Sequence, residues 1–155
     1  MWLPDGNFPR ASGHTSTPVA LVGLNAEDER ALSDILGCSE CLCGPTCDWN
    51  ILAADTVDSV LETVRRELVG IVVFDHDGLI DHWKELLDEF SAIPHAPLLI
   101  VTSRLADDRL WVEALNLGAY DVLSKPFDRA EVSRIAGLAC AQWHGRQAAA
   151  MHSAA

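Results

Sequence analysis

The sequence predicts an α/β fold, a doubly wound parallel sheet built from five β-α units. Three observations predict it. Short apolar runs alternate with longer segments whose apolar residues recur at helical spacing. The most apolar run, Ile71–Phe74, lies between two such segments, as expected of a strand buried on both faces. The chain has 155 residues, 49% of them hydrophobic. That suffices for one domain that buries roughly two thirds of its unfolded surface.

Residues 1–17 are rich in Gly, Pro, Ser and Thr without an apolar period, and read as a flexible tail. Val19–Leu24 is a short apolar run compatible with a buried strand. Asn25 is a good N-cap for a helix over Ala26–Leu36, whose Ala31, Leu32, Ile35 and Leu36 share one face, and Gly37 closes it. A cysteine-rich loop runs from Cys38 to Asp48. Asn50–Ala54 is the second strand. Val57–Leu68 is a helix with Val57, Val60, Leu61, Val64 and Leu68 at helical spacing. Ile71–Phe74 is the third and central strand. Asp81–Ala92 is a helix with Trp83, Leu86, Leu87 and Phe90 inward, and Pro97–Val101 is the fourth strand. Asp107–Leu117 is a helix ended by Gly118, and Tyr120–Leu123 the fifth strand. Asp128–Trp143 is the last helix, with residues 146–155 a helical extension or frayed tail. Strict alternation implies right-handed β-α-β crossovers and helices on both faces. The natural order for five such strands is the flavodoxin-like 2-1-3-4-5, with ligands beyond the carboxyl ends of the strands at the switch between strands 1 and 3.

Composition excludes several functions. Eleven Lys and Arg against 23 Asp and Glu give a net charge of −12. Nucleic-acid binding needs clustered basic residues to neutralise phosphates, so no direct nucleic-acid partner is expected, and no anionic membrane surface either. No apolar run approaches the ~18 residues of a spanning helix. Met1–Arg10, with Pro4, Asp5 and Pro9, is unlike a secretory signal. The expected location is the cytoplasm.

The switch-point rule directs attention to the strand ends. Strand 3 ends in Asp75-His76-Asp77, strand 4 in Thr102-Ser103 and strand 5 in Lys125-Pro126. A carboxylate, a hydroxyl and an ammonium on one edge suit phosphoryl transfer to the carboxylate. Asp75 would be the nucleophile, ionised at neutral pH. Lys125 would pair with the phosphoryl oxygens and Thr102 would donate a hydrogen bond to one of them. A phosphoryl dianion about 4 Å from Asp75 is repelled by roughly 4 kcal/mol per charge pair at an effective dielectric near 20.

Four features resemble the receiver domain of two-component response regulators, over about residues 18–143 of a domain read as residues 18–145. Gly70-Ile71-Val72-Val73-Phe74-Asp75 resembles the strand that ends in the phosphorylated Asp. Pro97-Leu98-Leu99-Ile100-Val101-Thr102-Ser103 resembles the strand that ends in the switch hydroxyl. Gly118-Ala119-Tyr120-Asp121-Val122-Leu123-Ser124-Lys125-Pro126-Phe127 resembles the family's Gly-Ala, strand, Lys-Pro-Phe stretch. The spacing is the fourth feature, 27 residues from Asp75 to Thr102 and 23 from Thr102 to Lys125. The resemblance implies a phosphoacceptor at Asp75, a cis bond before Pro126, and signalling through a shift between two states rather than enzymatic turnover. It implies a sensor histidine kinase or phosphotransfer protein as donor, and a downstream effector protein or homodimer as recipient. The family's docking face is its fourth helix, fifth strand and fifth helix, for which Leu110, Trp111 and Leu115 are candidates.

The chain departs from the family at several positions. Two acidic residues usually close strand 1 and hold Mg²⁺, and here they read Gly23 and Leu24. A weak Mg²⁺ site would keep only Asp75 and the backbone carbonyl of Asp77, with waters. Glu27 and Asp28 follow in the first helical turn, where they are weak substitutes as Mg²⁺ ligands. The switch aromatic is replaced by Val122, with Tyr120 two residues earlier on the same face by strand period. The Pro four residues after the phosphorylated Asp is replaced by Leu79. These departures support an alternative, an interaction module that keeps the fold and works without phosphate.

Cys38, Cys41, Cys43 and Cys47 fall within ten residues with spacing C-x2-C-x-C-x3-C. Four thiols so close suit Zn²⁺ or an iron–sulfur cluster, a redox switch, or a metal-free loop. A metal or redox sensor on this loop is a further alternative. Cys140 stands apart on the apolar face of the last helix, as a core residue.

Overall fold

The apolar runs become strands, each flanked by a helix. A computed structural model of the chain describes residues 16–37, 48–80 and 82–153. The elements are β1 (Ser16–Val22), α1 (Ala26–Leu36), β2 (Asp48–Ala54), α2 (Val57–Arg66), β3 (Ile71–Asp75), α3 (His76–Leu79), α4 (His82–Phe90), β4 (Leu98–Ser103), α5 (Asp108–Leu117), β5 (Asp121–Ser124) and α6 (Arg129–Ser153). The sheet is parallel throughout in the order β2-β1-β3-β4-β5, as expected.

Strand periodicity divides the core into two layers. Ala20, Val22, Val72, Phe74, Leu99, Val101 and Val122 face one side, with Val60, Leu61, Val64, Trp83, Leu86, Phe90 and Leu110 from α2, α4 and α5. Val19, Leu21, Ile71, Val73, Leu98, Ile100 and Leu123 face the other, with Leu32, Ile35, Leu36, Val132, Ile135, Ala139 and Trp143 from α1 and α6. Successive side chains of a strand point to opposite faces, so continuous apolar runs feed both layers. α6 approaches the sheet closely because Gly70 has no side chain. A Cβ there would lie 2.9 Å from the Trp143 ring.

Several boundaries differ from the sequence reading. β1 begins at Ser16, ahead of the expected Val19. Pro18 lies within this strand. Its carbonyl accepts from Gly70 N on the β3 side, before the β1–β3 ladder starts at Val19, so its missing N–H removes no ladder bond. Thr17 is buried, with Oγ1 3.2 Å from Cys140 Sγ and 2.9 Å from His144 Nε2. α2 stops at Arg66 because Glu67 turns extended, leaving Leu68 53% exposed rather than inward. α3 is an extra helical turn, so strict alternation of five strands and five helices is broken once. The Cys38–Cys47 loop lies outside the described residues, as do residues 1–15. Among the described residues no helix is long and apolar enough to cross a membrane.

Candidate functional site

Asp75 is the last residue of β3, and the register sets it opposite Thr102 on β4. The β4–β5 ladder continues to Ser103 opposite Ser124, and the next amide, Lys125 N, donates to Ser103 O at 3.0 Å. Strand pairing alone therefore brings Asp75, Thr102 and Lys125 to one edge. The Lys125–Pro126 peptide is cis.

Lys125 Nζ is the hub. It lies 2.8 Å from Asp75 Oδ1, 3.1 Å from Asp28 Oδ2 and 3.1 Å from Asp77 Oδ2. Its side chain is 3% exposed and that of Asp75 5%. An ammonium buried this far costs several kcal/mol unless it is paired, and three carboxylates offset the cost. Burial pushes Lys125 down, but the bonds to Asp75, Asp28 and Asp77 outweigh it and hold its pKa above the ordinary lysine value.

Asp75 has partners on both oxygens. Thr102 Oγ1 lies 3.2 Å from Oδ1 and 3.4 Å from the Phe74 carbonyl, so its single proton is shared between two acceptors. Oδ2 accepts the Gly78 backbone N–H at 3.1 Å, which makes Asp75 the N-cap of α3.

Asp77 enters through its side chain, where the sequence points to its carbonyl. Oδ1 accepts from Ser103 Oγ at 2.7 Å and Oδ2 from Arg104 N at 2.8 Å. Burial pushes its carboxyl up. The Arg104 amide, the Ser103 hydroxyl and the Lys125 ammonium outweigh that and hold it below the ordinary carboxylate range.

Asp28 is the residue that sequence reasoning weighed only as a metal ligand. Asn25 Oδ1 accepts Asp28 N at 2.8 Å and starts α1, so Asp28 falls in the first turn beside the strand ends. The signal was the switch-point topology, which seats the start of α1 next to the end of β3. The signal for Ser103 was its place one residue after Thr102, although its role is to hold Asp77.

Val122 is buried in the core. Tyr120 packs into the opposite layer, not on the face of Val122, because β5 begins at Asp121 and the strand period does not reach residue 120. Leu110 is buried and belongs to the core rather than to a docking face, whereas Trp111 is 47% exposed. Cys140 is buried, as read from its helical position.

The residues do not fit the divalent metal that the resemblance implies. Gly23 has φ +75°, and a Cβ built there would lie 2.7 Å from Leu79 Cδ1. A Cβ on Gly78 would lie 2.6 Å from the Gly23 carbonyl oxygen. α3 is thus seated against the loop where the acidic pair would stand, and Asp28, Asp75 and Asp77 converge on an ammonium. Among the described residues no group of three or more His, Cys, Asp or Glu is arranged to hold a metal ion.

No family model matches the chain. Among curated proteins it is 34% identical over 128 residues to the response regulator protein FleR of Pseudomonas aeruginosa, covering 80% of this chain and 26% of that protein. It therefore spans about a quarter of that relative's length. Among solved structures it resembles a response regulator from Thermotoga maritima, with a TM-score of 0.68 and 18% identity over 81% of this chain and 98% of that one. It also resembles the signal receiver domain of an HD domain-containing protein from Pseudomonas fluorescens Pf-5, with a TM-score of 0.67 and 18% identity over 90% and 98% of the two chains. The structural likenesses show the fold. Together with the identity to FleR and the Asp75–Thr102–Lys125 arrangement at the strand ends, they support a receiver domain similar to those of two-component response regulators.

Proposed function

We propose that the chain accepts a phosphoryl group on Asp75 and passes the signal on by protein–protein contact. The supporting observation is the buried contact of Asp75 Oδ1 with Lys125 Nζ at 2.8 Å, with Thr102 Oγ1 3.2 Å away. In the step, Asp75 Oδ2 attacks phosphorus, the bond from phosphorus to the donor's histidine nitrogen breaks, and an aspartyl phosphate forms. The electron pair of the broken bond stays on the imidazole, which takes up a proton. Lys125 and Thr102 meet the developing charge on the phosphoryl oxygens. Oδ2 is free to attack once the Gly78 N–H releases it. The donor is a sensor histidine kinase or phosphotransfer protein, and the recipient an effector protein or a second copy. The domain is modified once per signal and turns over no small substrate.

A second reading, the interaction module that works without phosphate, is favoured by one observation. Both Asp75 oxygens have partners, and the carboxylate is 5% exposed. Intact mass after incubation with acetyl phosphate separates the two. The first reading expects a gain of one phosphoryl group that Asp75→Ala abolishes. No gain with acetyl phosphate or with a phosphorylated histidine phosphotransfer domain would favour the second.

A further inference from the structure

The end of β1 is where this site parts from a metal-dependent one. We infer that the site takes no divalent metal in its resting state, and that the Lys125 ammonium, positioned by Asp28, serves as its cation. Metal binding is measured without phosphate, so this inference concerns the same residues as the phosphoacceptor reading but does not depend on it.

Three independent contacts lead there. First, the place of a strand-end carboxylate is filled. Gly23 has φ +75°, Leu79 Cδ1 lies 2.7 Å from where its Cβ would be, and α3 leaves no room at Gly78 either. Second, the remaining donors are engaged. A metal on Asp75 would compete with Lys125 and Thr102 at Oδ1 or with the Gly78 N–H at Oδ2. A metal on the Asp77 carboxylate would compete with Ser103, the Arg104 amide and Lys125. Third, the additional acid lies on α1 rather than at the strand end, and it points at the ammonium, 3.1 Å away. Three carboxylates around one ammonium leave two surplus negative charges, which attract cations by field alone. What the site lacks is an open set of oxygen ligands, and Mg²⁺ demands near-ideal geometry.

The test is Mn²⁺ titration of the full chain, read by the loss of the free-ion EPR signal. Wild type is expected to leave the signal unchanged up to millimolar metal. Lys125→Met frees three carboxylates and is expected to gain binding. So is Gly23→Asp/Leu24→Asp/Leu79→Ala, which restores the strand-end acids and clears Leu79, by about tenfold or more in affinity. Wild-type binding as tight as that of the triple variant would overturn the inference, and so would a Lys125→Met protein that folds and gains nothing. Should the variants fail to fold, wild-type melting still decides. An equal midpoint in Mg²⁺ and in EDTA supports the inference, and a rise with saturating Mg²⁺ overturns it. Asp28 is tested separately. The Lys125 side-chain ¹⁵N resonance should shift in Asp28→Asn and return in Asp28→Glu, and an unchanged resonance would remove Asp28 from the arrangement. Absence of an adduct with both acetyl phosphate and a phosphorylated histidine phosphotransfer domain, in Mg²⁺ and in EDTA, would end the phosphoacceptor reading and leave these metal results standing.

Discussion

Lys125 concentrates the physics of the site in one side chain. Its ammonium is buried among Asp28, Asp75 and Asp77, so removing it strands carboxylates that have lost their counter-charge. Breaking a buried pair from one side costs about 3–5 kcal/mol. Lys125→Met is therefore expected to lose about that much in urea denaturation at pH 7, and Asp75→Asn in the same background should recover part of it. The pH dependence has two arms. Lys125 is held above its ordinary value of 10.5 when folded. Its contribution is full below pH 10.5 and is lost as pH rises through the higher folded value. Asp77 is held below its ordinary 3.8. Its contribution is present above pH 3.8 and is lost as pH falls through the lower folded value. Urea midpoints against pH should show the alkaline loss in wild type and a weaker one in Lys125→Met. In Asp77→Asn the acid loss should shrink.

At the scale of elements, α3 is the unexpected one. A turn of His76-Asp77-Gly78-Leu79 has no apolar period and contains a glycine, so nothing local announces a helix. It forms because Asp75 Oδ2 caps Gly78 N and Leu79 finds space over Gly23. It ends at Ile80 with φ +45°, a strained conformation for a β-branched residue. Two glycine substitutions separate close approach from backbone freedom. Gly118 closes α5 at φ +109° with nothing within 4 Å of a built Cβ, so Gly118→Ala should cost about 1 kcal/mol of backbone strain and leave the site unchanged. Gly78→Ala would press a methyl onto the Gly23 carbonyl, and should also speed hydrogen exchange of the amide at position 78. If exchange there were unchanged, α3 would not be seated as described. The capped helices were the readable elements. Asn25 with Gly37, and Gly118 at the far end of α5, stand where sequence reasoning placed them, because caps are local chemistry.

At the scale of the whole molecule, the described residues form two apolar layers on one sheet. Trp83 lies in one layer and Trp143 in the other, both buried. β1, β3 and β4 contribute to both layers, so neither can be lost without exposing the far face of the same strands. The expected result is one cooperative transition. With fluorotryptophan labels, the ¹⁹F resonances of Trp83 and Trp143 should disappear at the same urea concentration. Separate midpoints would mean that the layers unfold independently. The same layering decides which apolar residues remain for partners. Leu110 fills the layer under α5, while Trp111, Val112 and Leu117 stay on its outer surface.

By itself the sequence determined the strand order, the two-layer core and the meeting of Asp75, Thr102 and Lys125. Each follows from periodicity, from crossover handedness or from the register of neighbouring parallel strands, and these are regular rules of the chain. The tertiary structure alone decided what surrounds that trio. Asp28 reaches Lys125 across 97 residues of sequence, and Ser103 holds Asp77 across 26. Leu79 covers Gly23 from a turn that no pattern marks. The reason is that a carboxylate's partner is set by distances of about 3 Å between groups on different elements. The spacing of residues along the chain places the elements, but it does not place the ends of their side chains to that accuracy.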